Sequence, residues 1–125
     1  MRFAKRVCLL LALLASSGCS DDQTSGAARS GDTGLLAIED LGCGVCHVIP
    51  GVSWPQSNVG PSLVGFGNRA FVAGVLPNNR DNVASFIQNA TTYVDKGAMP
   101  PIKMTGQQAS DIADYLRTLQ TEADQ

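Results

Sequence analysis

Cys43, Cys46 and His47 stand together in the run Cys43-Gly44-Val45-Cys46-His47, two thiols two residues apart with an imidazole directly after the second. Three chemistries use thiols at that spacing: a redox dithiol, a zinc site, and thioether attachment of a haem. Zinc asks for four N or S ligands. The chain holds one histidine, and its other cysteines are Cys8, inside an apolar leader, and Cys19, beyond a polar linker. A thioredoxin-like dithiol asks for a strand before the pair and a helix opening at the first cysteine, whereas here the apolar pattern ends a helix at that point. The expectation is therefore one covalently attached haem c. Its vinyl groups take Cys43 and Cys46, and His47 lies beneath the iron as its axial ligand.

A single histidine leaves methionine as the side chain for the opposite axial position, or no strong ligand at all. Met1 leaves with the leader, so Met99 and Met104 compete. Met99 stands in Gly97-Ala98-Met99-Pro100-Pro101, where the prolines stiffen the loop and reduce the entropy lost on ligation. Met104 precedes the Thr105 cap, where a side chain packs under a helix start. Met99 is expected to be the ligand and Met104 core filler.

Three helices are predicted to position these groups. Asp32 or Thr33 can cap the first, which carries Leu35, Ile38 and Leu41 and ends around Gly42. Asp81 can cap the second, with Val83, Phe86, Ile87 and Ala90 on one stripe. Thr105 and Gln108 form a capping box for the third, whose Ala109, Ile112, Leu116 and Leu119 face inward. A shorter helical turn is read at Arg69 to Ala73, closed by Gly74. No stretch alternates with period two, so the expected fold is all-α: three main helices and a short turn packed around one haem, with no sheet. The Gly- and Pro-rich stretches Pro50 to Gly67 and Asp95 to Ile102 are long for a compact helical domain and need a surface to pack on. The folded domain is placed at residues 32–125.

The first 18 residues resemble an export signal: Arg2, Lys5 and Arg6 precede the apolar run Val7 to Ala15, then small residues. Cys19 follows where lipoprotein signals carry their acylated cysteine; simple cleavage after Ser17 or Gly18 is the alternative. Residues 19–31 have the small, polar composition of a linker. An exported protein is expected, periplasmic or on the outer side of a bacterial membrane, held through a lipid on Cys19 if that residue is acylated. Losing residues 1–18 leaves six basic against eleven acidic residues, a formal charge of −5. That balance argues against nucleic acid and predicts a partner with a neutral or basic docking face.

Residues 33 to 120 resemble a class I monohaem cytochrome c, and more narrowly the cytochrome c domain fused to subunit II of some bacterial haem-copper oxidases. The matching text is Cys43-Gly-Val-Cys-His-Val-Ile-Pro-Gly51, Val59-Gly-Pro-Ser-Leu63, Gly67-Asn-Arg69, Ala73-Gly-Val-Leu-Pro-Asn78, Asn82, Ala98-Met-Pro100 and Asp111-Ile-Ala-Asp-Tyr-Leu116. The resemblance implies that the Pro61 carbonyl accepts the His47 Nδ1 proton, that Arg69 meets a haem propionate, and that the first and last helices cross near Gly42 and Tyr115. It departs at Phe86-Ile87, where relatives commonly carry Trp-Ile; Trp54 is a candidate replacement or a cover for the haem edge. The implied function is a one-electron shuttle, not an enzyme, working between redox proteins such as a cytochrome oxidase, a quinol-oxidising complex or a dehydrogenase. The alternatives are a haem-bearing subunit fixed in an oxidoreductase complex, and a five-coordinate peroxidase or gas sensor in which Met99 does not bind.

Overall fold

The structure is a computed structural model and describes residues 30–121. The leader at 1–18, Cys19 and the linker up to residue 29 lie outside the described residues.

Helix α1 (Ser30–Asp40) starts ahead of the expected Asp32 or Thr33 cap, with Asp32 in its first turn, where a carboxylate favours the helix N-terminus. Helix α3 (Gly106–Thr118) is opened by Thr105, whose side chain accepts from Gln108 N while Gln108 Oε1 accepts from Thr105 N. The box read from the sequence is thus present on both sides. The two helices cross at Gly34. A Cβ there would run into the Asp111 carbonyl oxygen and lie 2.7 Å from Tyr115 Cβ, so only glycine permits this approach. Of the pair expected near this contact, Tyr115 is there and Gly42 is not. That residue, at φ 70°, turns the chain out of α1 into the single 3-10 turn Cys43–Val45, and its nearest neighbour would be a Val45 methyl at 3.8 Å.

The all-α expectation is corrected by the middle of the chain. Strands β1 (Phe71–Val72) and β2 (Leu76–Pro77) pair antiparallel, with Phe71 opposite Pro77 and Val72 opposite Leu76, so the described chain is mixed α/β. The helical turn foreseen at Arg69 to Ala73 lies earlier, as a 3-10 turn at Phe66–Asn68. The strands join through Ala73 and Gly74, at φ 48° and 75°, with Val75 N donating to Val72 O. Two positive φ values in succession reverse the chain tightly and match the twist of the strands.

Helix α2 (Arg80–Gln88) is capped by Asn79, whose side chain accepts from Asn82 N at 2.9 Å; Asp81, the predicted cap, sits in the first turn. Its stripe is as expected, with Val83 and Ile87 buried and Phe86 partly so. Arg80 ties α2 to α3 through both oxygens of Asp114. Ile38, Ile49, Val83, Ile112 and Leu116 join the three helices and the loop after the cysteines into one apolar core.

Candidate functional site

The core is hollow on one side. A cavity of about 650 Å³ opens between the helices and the long loops, within the usual range of about 300–1,000 Å³ for cofactor pockets. Its wall brings together Cys43, Cys46, His47, Pro61, Arg69, Met99 and Met104, so six expected site residues and the rival methionine meet at one place. The remainder of the lining is dominated by side chains such as Ile38, Leu63, Phe66, Val72, Ile87 and Ile112.

Each group is held by local chain geometry. The 3-10 turn presents Cys43, partly buried, and Cys46, exposed; both are free thiols. Burial pushes the Cys43 thiol above its ordinary pKa, with the neighbouring Cys46 adding to the rise. Leaving the turn, the chain meets residues 59–63: Gly60 N donates to Cys46 O at 2.6 Å and Leu63 N to Val48 O at 2.8 Å. These bonds place Pro61 beside the imidazole, and its carbonyl lies 2.7 Å from His47 Nδ1. A carbonyl only accepts, so Nδ1 carries the proton, and in the neutral ring Nε2 is then the nitrogen with the lone pair. Gly60 makes the approach possible, because a Cβ there would lie 2.5 Å from His47 Cε1. No reading of the sequence singled out Gly60; the Gly-Pro pair before Ser62 was its only signal.

Further bonds fix the surroundings. Tyr115 Oη donates to Pro50 O at 2.6 Å and covers Gly51, which pins the segment after His47 to α3. Burial, and next the charge of Glu39, raise the Tyr115 phenol above its ordinary pKa. Asn78 Nδ2 donates to Phe66 O and Arg69 O, holding the 3-10 turn at the cavity wall. Arg69 does not reach out as a free cation: its Nη2 donates to Ser62 O at 2.5 Å and its guanidinium lies over the Phe66 ring, 5.4 Å from the centroid. Trp54 is 85% exposed and does not line the cavity.

Another part of the wall is the loop that carries Met99. Gly97 N bonds Val94 O, Lys96 sits at φ 61°, and Ile102 N bonds Gln88 O, so the loop leaves and returns to the end of α2. Met99 and Met104 both pack against the core and both line the cavity. Two thiols, an imidazole with one free nitrogen, a thioether and a largely apolar wall fit a flat apolar macrocycle holding a metal at its centre.

The chain is 29% identical over 87 residues to a protein named cytochrome c oxidase subunit 2, from Alkalihalophilus pseudofirmus. The matched stretch is 69% of this chain and 25% of that relative, so the likeness spans about a quarter of the relative's length. No family profile matches the chain, and no solved structure matches it.

Proposed function

We propose that the cavity holds one haem c, attached through Cys43 and Cys46 and ligated by His47 and Met99, and that the protein is a one-electron carrier related to monohaem c-type cytochromes. The observation that carries this is the His47 to Pro61 bond beside the two free thiols. It orients an imidazole whose remaining nitrogen belongs to a residue of the cavity wall.

When bound, the group supplies a metal that gains and loses one electron. The chain's own residues do the rest. His47 is kept in one tautomer by Pro61, which raises its basicity as a ligand. Met99 offers a soft thioether from a loop tied at both ends, and the apolar wall keeps water from the metal. His47 and Met99 would both hold the metal of the bound group, which would leave oxygen and peroxide no open place to bind. Arg69 is the positive side chain of the cavity wall, and the guanidinium N–H groups not given to Ser62 O would be the ones to meet a propionate.

The likeness to an oxidase subunit favours a second arrangement of the same chemistry, in which the domain serves as a fixed subunit of an oxidoreductase complex rather than a roaming shuttle. In either form the partners are redox proteins: an oxidase, a quinol-oxidising complex or a dehydrogenase. Export by the first 18 residues, to the periplasm or the outer face of the membrane, with a lipid on Cys19, completes the proposal.

The test is expression in a host with haem-maturation machinery, followed by extraction with acidic acetone. The expected outcome is a red protein that keeps its pigment, and a Cys43→Ala plus Cys46→Ala variant that does not. A colourless wild-type protein would overturn the proposal.

A further inference from the structure

Proline has no N–H, so Pro61 brings no donor of its own to anchor the carbonyl that meets His47 Nδ1 at 2.7 Å. The direction of that carbonyl is set by the residues on either side. Before it, Gly60 N donates to Cys46 O at 2.6 Å. After it, the Ser62 carbonyl accepts from Arg69 Nη2 at 2.5 Å, a charge-assisted bond between residues seven apart in the chain. Leu63 N, next along, donates to Val48 O at 2.8 Å.

Arg69 is itself held firmly enough to act as a clamp. Its N donates to Phe66 O at 3.2 Å, and its own carbonyl accepts from Asn78 Nδ2 at 3.0 Å. The same Asn78 amide donates to Phe66 O at 2.9 Å, so one side chain fixes both ends of this short turn. From the other side, Gly67 N donates to Leu119 O at 2.7 Å, which ties the turn to the chain leaving α3. The guanidinium rests over the Phe66 ring, and that ring belongs to a residue only 5% exposed. A line of contacts thus runs from a buried ring, through Arg69, to the main chain beside Pro61.

We propose that Arg69 is a positioning residue for His47: by holding the Ser62 carbonyl it keeps the Pro61 carbonyl on Nδ1, and with it the tautomer and orientation of the imidazole. This rests on the haem reading, in which His47 is a metal ligand. Losing the guanidinium frees Ser62, then Pro61, and weakens the bond at Nδ1. The helices stay in place, because Arg69 is exposed and lies outside the apolar core.

The test uses the haem-loaded, reduced protein and reads hydrogen exchange of the His47 Nδ1 proton by NMR, with the Ile112 amide inside α3 as reference. In Arg69→Met, which keeps an unbranched stem and removes every donor, the Nδ1 proton is expected to exchange about tenfold faster, while Ile112 changes by less than about twofold. Arg69→Lys keeps the charge and a donor but loses the planar group over Phe66, and its Nδ1 exchange is expected between the two. Wild-type exchange at Nδ1 in Arg69→Met would overturn the proposal and leave Arg69 as a counter-ion alone. Equal acceleration at Nδ1 and Ile112 would overturn it as a general loosening of the fold. Pigment lost to acidic acetone, checked on the same samples beforehand, is a distinct failure that removes the haem reading as well.

Discussion

Tyr115 on α3 donates its hydroxyl proton to the carbonyl of Pro50, 65 residues earlier and three after His47, at 2.6 Å. This single bond couples the last helix to the segment that leaves the candidate ligand, with the hydroxyl end of the side chain against Gly51. Tyr115→Phe keeps the ring and removes the donor, so the expected loss is about 1 kcal/mol, read from the urea midpoint at neutral pH.

The same phenol predicts an alkaline limb. Its pKa is raised in the folded protein by burial and then by Glu39, so the folded state holds the proton more tightly than the unfolded chain. The stabilisation is complete below the ordinary tyrosine value of about 10 and is lost as pH rises through the higher folded value. Unfolding midpoints measured across that window should fall more steeply for the wild type than for Tyr115→Phe. Parallel slopes would show that Tyr115 is not the group responsible.

Gly60→Ala tests the cradle under His47. The added methyl would sit 2.5 Å from Cε1, so the ring or the 59–63 segment must move. A cost of about 1–3 kcal/mol is expected, as for other overpacked sites. The imidazole Nδ1 proton, expected to be protected by Pro61 O in the wild type, should exchange faster in the variant, as read by NMR.

Met99 and Met104 both reach the cavity, and a pair of alanine variants separates their roles. Met99→Ala is expected to abolish the weak near-red absorption band of oxidised haem bound by a thioether. Met104→Ala should keep that band and lose about 2–5 kcal/mol as a truncated core side chain. Loss of the band in Met104→Ala alone would exchange the two assignments.

Arg80 meets Asp114 through both carboxylate oxygens at 2.9 Å, but the side chains are 45% and 29% exposed. A double-mutant cycle with Arg80→Ala and Asp114→Ala should yield a coupling of at most about 1 kcal/mol, shrinking as salt is added.

Long helices with strong end signals were legible before any coordinates. Thr105 with Gln108 announces α3 because a side chain and a backbone group satisfy each other locally, without tertiary help. The stripe of α2 was legible for a similar reason, yet its cap was misplaced: Asp81 and Asn79 both suit an N-cap, and the bond from Asn82 N to Asn79 selects the earlier one. The hairpin escaped because two-residue strands cannot display a period of two, and because its turn places Ala73 at a positive φ where Gly or Asn would have been the signal. The Gly34 crossing escaped too, since a helical glycine shows its purpose only when a neighbour's backbone arrives. At the cavity, Cys43, Cys46 and His47 could be expected together from adjacency in the chain, and the Pro61 carbonyl beside His47 from the resemblance carried by the Gly60-Pro61 pair. The Arg69 bond to the Ser62 carbonyl could not, because it depends on how two loops fold back on each other.

The approach at Gly34 joins the first described helix to the last, and each covers part of the other's apolar stripe. Their amides should therefore exchange with solvent as one cooperative unit. A disturbance at either end of the domain would then be felt as loosening of the pocket, since Ile38 from one helix and Ile112 from the other both line its wall.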